Sequence, residues 1–246
     1  MSARIIRLDD LNDVSFTQAS IYVDACFLLA FLDANGDEDG ELVENVLVKF
    51  QKDAIGKVLI SNHVFSEVVQ HLFIGHVYNV IYTAYRKFIM KQTLSEEDEA
   101  LLGNPLIAQR LMQLVDSNKL AKFKHSEEVF IPVKEIIKIY KERYIDRNSL
   151  NCYYEYVLGI FNTLCSNLEE HFTIQIEHLS SDESTFYIAQ EFMNELQLEV
   201  KDALHLALAK QYNADYFATL DSDFVHKSYD DHLEKTSIFH ISRKFV

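Results

Sequence analysis

The sequence has no tryptophan, two prolines and six glycines among its 246 residues. So few turn formers exclude collagen-like, low-complexity and disordered chains. They also argue against an all-β sandwich or barrel, which uses Gly and Pro in many tight turns. No stretch approaches the roughly 18 uncharged apolar residues of a membrane span, and the first ten residues lack an apolar signal core. A soluble, cytoplasmic protein with no membrane partner is therefore expected. Cysteine is also scarce: Cys26, Cys152 and Cys165 form no CxxC pair and leave an odd one over, so neither a disulfide framework nor a zinc finger is expected. Positive charge is the last shortage, with 23 Lys and Arg against 38 Asp and Glu and a net charge of −15. That balance excludes a whole-surface electrostatic grip on nucleic acid but leaves a local basic patch open.

Short apolar runs alternate with amphipathic ones at both ends of the chain. Ser20-Ile21-Tyr22-Val23-Asp24 reads as a buried strand followed by a helix over 26–32. Residues 33–40 read as a loop and 41–51 as a second helix. Residues 57–61 form a second strand, with Asn62 as the cap of the next helix. Near the other end, 198–211 predicts a helix, and 214–220 and 236–241 predict strands. Alternation of this kind implies a mostly parallel sheet covered on both faces. The middle block, 77–180, reads as helices only (78–92, one capped by Ser95, 105–117, 133–147 and 153–171), with a single candidate strand at 172–176. The expected organisation is a discontinuous α/β domain of residues 1–76 and 181–246, interrupted by a helical insertion over 77–180.

Carboxylates fall where this fold would place ligands. Asp24 ends the first strand, and Asp221 directly follows Tyr216-Phe217-Ala218-Thr219-Leu220. In open parallel sheets the crevice beyond the carboxyl ends of the strands is the binding region. Glu67 lies in the early turns of the helix after the second strand, Asp202 at the start of its helix, and Asp223 two residues beyond Asp221. Five converging acids with no nearby Lys or Arg would repel one another, and a hard divalent cation with oxygen ligands, Mg²⁺ or Mn²⁺, relieves that repulsion. Two such ions about 4 Å apart clamp the attacking and leaving oxygens of a phosphoryl displacement. Taken singly, each acid could equally be a cap, a loop residue or an ion-pair partner.

These residues give the chain its resemblance to a known family. Ile21-Tyr22-Val23-Asp24, Leu59-Ile60-Ser61 leading to Ser66-Glu67-Val68-Val69, Lys201-Asp202-Ala203-Leu204-His205-Leu206-Ala207-Leu208-Ala209, and Ala214-Asp215-Tyr216-Phe217-Ala218-Thr219-Leu220-Asp221-Ser222-Asp223-Phe224 occur in order. In these blocks the sequence resembles the PIN-domain family of metal-dependent ribonucleases. The resemblance covers about 21–69 and 198–239, less than half the chain. It implies a three-layer α/β/α sandwich with a central, mostly parallel sheet. It also implies an acidic site of Asp24, Glu67, Asp202 and Asp221, with Asp223 as an accessory metal ligand and Thr219 as the hydroxyl that organises it. The implied cofactor is Mg²⁺ or Mn²⁺ and the implied substrate is RNA, hydrolysed in line to leave a 5′-phosphate and a 3′-hydroxyl. One departure stands out: where the family has Ser or Thr and then Asn after the first Asp, this chain has Ala25 and Cys26. Many small relatives are toxins silenced by an antitoxin. This chain is larger, so a toxin–antitoxin role, another protein partner and a homo-oligomer all stay open.

Other signals carry less. Asp33, Asn35, Asp37, Asp39 and Glu44 mimic a calcium-loop spacing, but Glu38 occupies the place that needs glycine, so a solvated acidic loop is the better reading. His205, one turn after Asp202, reads as a packing histidine before a phosphate contact, and Cys26 as a small core residue beside the site. His63, His71 and His76 cluster near Glu67. No Walker loop, GxGxxG or GxSxG is present. Charge is divided unevenly: residues 77–180 have a net charge of −2, and the remainder −13. Residues 119–147 hold eight of the basic side chains interleaved with Phe123, Phe130, Tyr140 and Tyr144, a composition able to hold phosphates and stack bases. Lys134, Lys138 and Lys141 share one helix face opposite an Ile136, Ile137 and Tyr140 stripe. They are the candidate RNA contacts, against the plainer reading of a solvated face.

The expected function is a metal-dependent endoribonuclease. Two rivals remain: a catalytically weak PIN-like module that binds RNA or protein, and a metal phosphohydrolase acting on small phosphate esters.

Overall fold

A computed structural model describes residues 4–33, 38–125, 129–146, 148–225 and 232–242. In chain order its elements begin with β1 (Ile5–Arg7), β2 (Ser20–Val23), α1 (Ala25–Leu32), α2 (Glu38–Asp53), β3 (Lys57–Ser61) and α3 (Asn62–Phe88). Then follow α4 (Glu96–Leu102), α5 (Pro105–Gln113), α6 (Ser117–Lys122), α7 (Val133–Arg143) and α8 (Asn151–Glu170). The last elements are β4 (Ile176–Leu179), α9 (Glu183–Glu195), α10 (Val200–Gln211), β5 (Tyr216–Thr219) and β6 (Ser237–His240). The six strands form one sheet in the order β1-β6-β5-β2-β3-β4, every neighbouring pair parallel. The chain packs as two compact units, Met1–Val68 with Asn162–Val246, and Val69–Phe161.

The first unit is an α/β/α sandwich. Along β2 the residues Ile21, Tyr22 and Val23 are all buried, as are Phe217, Ala218 and Thr219 of β5, so both faces of the central strands are covered. On one face Phe16 packs against Phe50 of α2, Tyr216 and Phe239, with ring centroids 4.8–5.4 Å apart. On the other, Tyr22 stacks on Phe217 at 5.4 Å and meets His205 of α10. Each such fully buried ring contributes on the order of 2–3 kcal/mol through lost apolar surface.

The chain's order places the site. From β2 it moves outward through β3 to β4, then returns to the other side of β2 for β5 and β6. The direction of winding therefore reverses at the β2–β5 pair, where Val23 lies opposite Ala218. Asp24 and Asp221 follow the carboxyl ends of those two strands. That is the crevice where doubly wound sheets bind ligands.

Several element expectations are corrected. The helix expected over 41–51 begins earlier, at Glu38, so Asp39 and Glu44 are helical and cannot form a calcium loop; Asn35 and Asp37 lie outside the described residues. The helix after β3 is capped by Ser61, whose Oγ accepts from the Val64 amide at 3.2 Å, while Asn62 bonds Ser181 instead. That helix and the one expected at 78–92 are one, α3, because no proline interrupts residues 73–77 and the buried face continues through Val77, Val80, Ile81 and Ala84. The helix expected over 105–117 ends at Gln113, and the strand expected at 172–176 begins at Ile176.

The second unit is all helical among its described residues. Its core gathers Val77, Val80, Ile81 and Ala84 of α3 with Ala108 and Leu111 of α5, Ile136 and Tyr140 of α7 and Val157 of α8. Ser95 and Asn104 cap α4 and α5 by accepting from backbone amides, and Pro105 occupies a first-turn position that needs no donor.

Candidate active site

Asp24 is the N-cap of α1 and 3% exposed. Its Oδ1 accepts from the Phe27 amide at 2.8 Å, and its Oδ2 accepts from Thr219 Oγ1 at 2.5 Å. Thr219 in turn accepts from the Asp221 amide at 2.9 Å, so one buried hydroxyl ties the ends of β2 and β5 together. Burial pushes the Asp24 carboxyl up to about 6, the nearby Asp221 charge adds to the rise, and the two hydrogen bonds offset part of it. Asp221 caps a single 3₁₀ turn (Ser222–Phe224) by accepting from the Asp223 amide at 2.9 Å, which places Asp223 beside it. Asp202 lies in the first turn of α10, where the helix dipole favours an anion. Burial raises its carboxyl, followed by the negative charge of Asp221, and Glu199 and Asp223 also raise it.

Glu67 is held differently. Its Oε2 accepts from His205 Nε2 at 3.2 Å, and its Oε1 from Lys201 Nζ at 3.0 Å. The His205 hydrogen bond is the chief reason that the Glu67 carboxyl is pulled down to about 2, with Lys201 assisting against partial burial. His205 Nδ1 meets the Tyr22 hydroxyl at 2.8 Å, which meets Ser61 Oγ at 2.7 Å. A carboxylate can only accept, which assigns the proton to Nε2 of His205. One direction then satisfies the whole chain: Ser61 donates to Tyr22, Tyr22 to His205, and His205 to Glu67. Tyr22, Ser61 and His205 are all buried, so the relay fixes one oxygen of Glu67 from the core outward.

The expectation of converging acids with no cation nearby is therefore corrected: Lys201 sits on Glu67, and His205 is a buried, fully hydrogen-bonded residue. Cys26 is corrected too, being exposed at the rim rather than in the core. The protein around its thiol raises it to about 12, and four acids, Asp24, Asp221, Glu67 and Asp202, all add to the rise. The negative field of these residues thus does converge. Of the three clustered histidines, His63 approaches His205 at 6.4 Å and bonds Ser181. His76 stacks on Tyr156 in the helical unit and is pulled down to about 4 by burial.

Sequence reasoning missed His240. It is the last residue of β6, opposite Thr219, and as a polar residue interrupting the apolar run of Ile238, Phe239 and Ile241 it carries the kind of signal that marks Asp24. It is 5% exposed, and its Nε2 has no hydrogen-bond partner among the described residues. Burial lowers its pKa, and Asp221 acts on it in the opposite sense.

Residues 168–228 match the profile of the PIN domain family. That segment is PIN-like. The matched segment holds β4, α9, α10 and β5, and with them Asp202, Thr219, Asp221 and Asp223. Asp24 and Glu67 lie outside it and join the PIN-like segment through Thr219 and His205. Comparison with curated proteins and with solved structures gave no match. PIN domains are nuclease-like. The donor set here, carboxylate oxygens throughout, suits a hard divalent cation such as Mg²⁺ or Mn²⁺. Among the described residues the group of ligand atoms lying within 4.8 Å of one another is Glu191, Glu195 and His232, two exposed glutamates and a half-buried histidine that include none of the strand-end acids.

Proposed function

We propose that this PIN-like protein is a metal-dependent endoribonuclease. The observation that carries the reading is the Asp24–Thr219–Asp221 linkage, a buried acid joined to a second acid across the point where the sheet's winding reverses. Asp24, Asp202, Asp221, Asp223 and Glu67 would hold Mg²⁺ or Mn²⁺, which supplies charge for the phosphodiester oxygens and lowers the pKa of water. Thr219 fixes the Asp24 carboxylate with its Oγ1 proton, and the His205 relay fixes Glu67. RNA is the proposed substrate, with Lys134, Lys138 and Lys141 as phosphate contacts of the helical unit; with Ile137 and Glu142 they line a surface cleft of about 350 Å³.

The test is cleavage of mixed RNAs on gels with Mn²⁺ or with chelator, beside the thermal stability of the same samples. Cleavage should require the ion, and the ion should raise the melting temperature because it binds only the folded site. Cleavage that survives chelation, with no thermal shift at millimolar Mn²⁺, would overturn the reading. The ion pair already on Glu67 favours a second reading, a catalytically weak RNA-binding module, which would bind RNA in the same assay without cutting it.

A further inference from the structure

The two oxygens of Glu67 have unequal partners. Oε2 is bound by His205, whose side chain is 4% exposed and is locked from behind by Tyr22 and Ser61. Oε1 is bound by Lys201, whose side chain is 69% exposed. One oxygen is therefore fixed by a group that cannot move, and the other by a flexible four-carbon stem already in solvent. A pair with one exposed, rotamer-rich partner is cheaply broken, and a divalent ion carries twice the charge of the ammonium it would replace.

We propose that Lys201 is a displaceable counter-ion: it competes with the divalent cation for Glu67 Oε1 and, once displaced, meets a phosphate oxygen of the substrate. This rests on the reading of the acids as a divalent-cation site. The ammonium is a compact charge with three donors, a form suited to phosphate. Lys201 precedes Asp202 directly in the first turn of α10, so the freed side chain stays at the acids. It would also place a cation where RNA must approach an otherwise anionic crevice. Lys210, on the same helix, provides the contrast: it pairs with Glu234 at 3.6 Å and lies over Phe192.

The experiment is calorimetric titration of Mn²⁺ into the intact wild type, Lys201→Gln and Lys210→Gln, with the KM for RNA measured at saturating Mn²⁺. Lys201→Gln should bind Mn²⁺ about two- to fivefold more tightly, the range set by a solvent-screened ion pair, and should raise the KM. Lys210→Gln should match the wild type in both. Unchanged Mn²⁺ affinity or unchanged KM in Lys201→Gln overturns the proposal. Equal tightening in Lys210→Gln also overturns it, since the effect would then be net charge alone. A wild type that binds no Mn²⁺ removes the metal-site reading itself, and the proposal with it. A wild type that binds Mn²⁺ like Lys201→Gln removes only the role of Lys201.

Discussion

Asp24 and Glu67 titrate in opposite directions, and the difference is measurable without substrate. Asp24 holds its proton up to about 6 in the folded chain against 3.8 when unperturbed. The folded state binds more protons between those values, so stability falls as pH rises through that window, by on the order of 3 kcal/mol in all. Glu67 is held near 2 against 4.5, so its contribution is present above 4.5 and lost as pH falls towards 2. Across the same window the buried His76, held near 4 against 6.5, gains stability as pH rises, so the Asp24 decline shows as a difference between the wild type and Asp24→Asn. Asp24→Asn is uncharged at every pH and should therefore gain stability relative to the wild type as pH rises from 4 to 6, while the proposed RNA cleavage collapses with the loss of a ligand charge. Melting curves from pH 3 to 8 in chelator check this, and a variant that gains nothing on the wild type across that window would refute the assignment to Asp24. The strand-end acids were legible because each interrupts or follows an apolar run. The partners of Glu67 were not, because His205 lies 138 positions away and only tertiary packing brings it near.

Elements that carry their own signal were read closely, and those that borrow stability from neighbours were not. Lys57–Ser61 matches its expected span because its apolar run is bounded by Gly56 and a cap. The three-residue β1 exists through pairing with β6, and the i, i+4, i+7 spacing of Thr185, Ala189 and Phe192 buried by α9 is blurred in the sequence by the exposed Phe186, Tyr187 and Met193. Scarce glycine also leaves a mark on the elements, since left-handed positions are taken by other residues. Ala54 follows α2 with φ 53°, and it is exposed. A helix C-terminus in this conformation favours glycine, so Ala54→Gly should stabilise the fold by about 0.5–1 kcal/mol. Two residues on, the reverse holds. A Cβ on Gly56 would lie 2.7 Å from the Gln18 carbonyl oxygen, and the Gly56 amide donates to Ala19 where β2 and β3 begin to pair. Gly56→Ala should cost about 1–3 kcal/mol, as overpacking does. Urea midpoints of the two variants should move in opposite directions, and a shared direction would refute the backbone argument.

Across the whole molecule, charge sets the problem that the proposed RNA binding must solve. A chain of net −15 repels a polyanion at long range, so affinity has to come from a local excess of cations. The residues outside 77–180 carry nearly all of that negative charge, and the helical unit is close to neutral. In that unit α7 turns Val133, Ile136, Ile137 and Tyr140 into its core and leaves Lys134 and Lys138 in solvent, as the periodicity predicts. Lys141, one of the cleft's lysines, lies over the Tyr154 ring at 5.7 Å and reaches its hydroxyl at 3.4 Å. A solvated helix face would need neither the cleft nor that ring. Reversing Lys134, Lys138 and Lys141 to Glu should leave the melting temperature nearly unchanged, because none of the three is part of the core. It should weaken RNA binding and flatten the slope of log affinity against log salt by about 0.7 for each single-strand phosphate that is no longer neutralised. Binding measured between low and physiological salt decides the matter. If the triple variant binds with the same affinity and the same slope, the cleft takes no part in holding RNA, and the cations that do so must lie elsewhere on the chain.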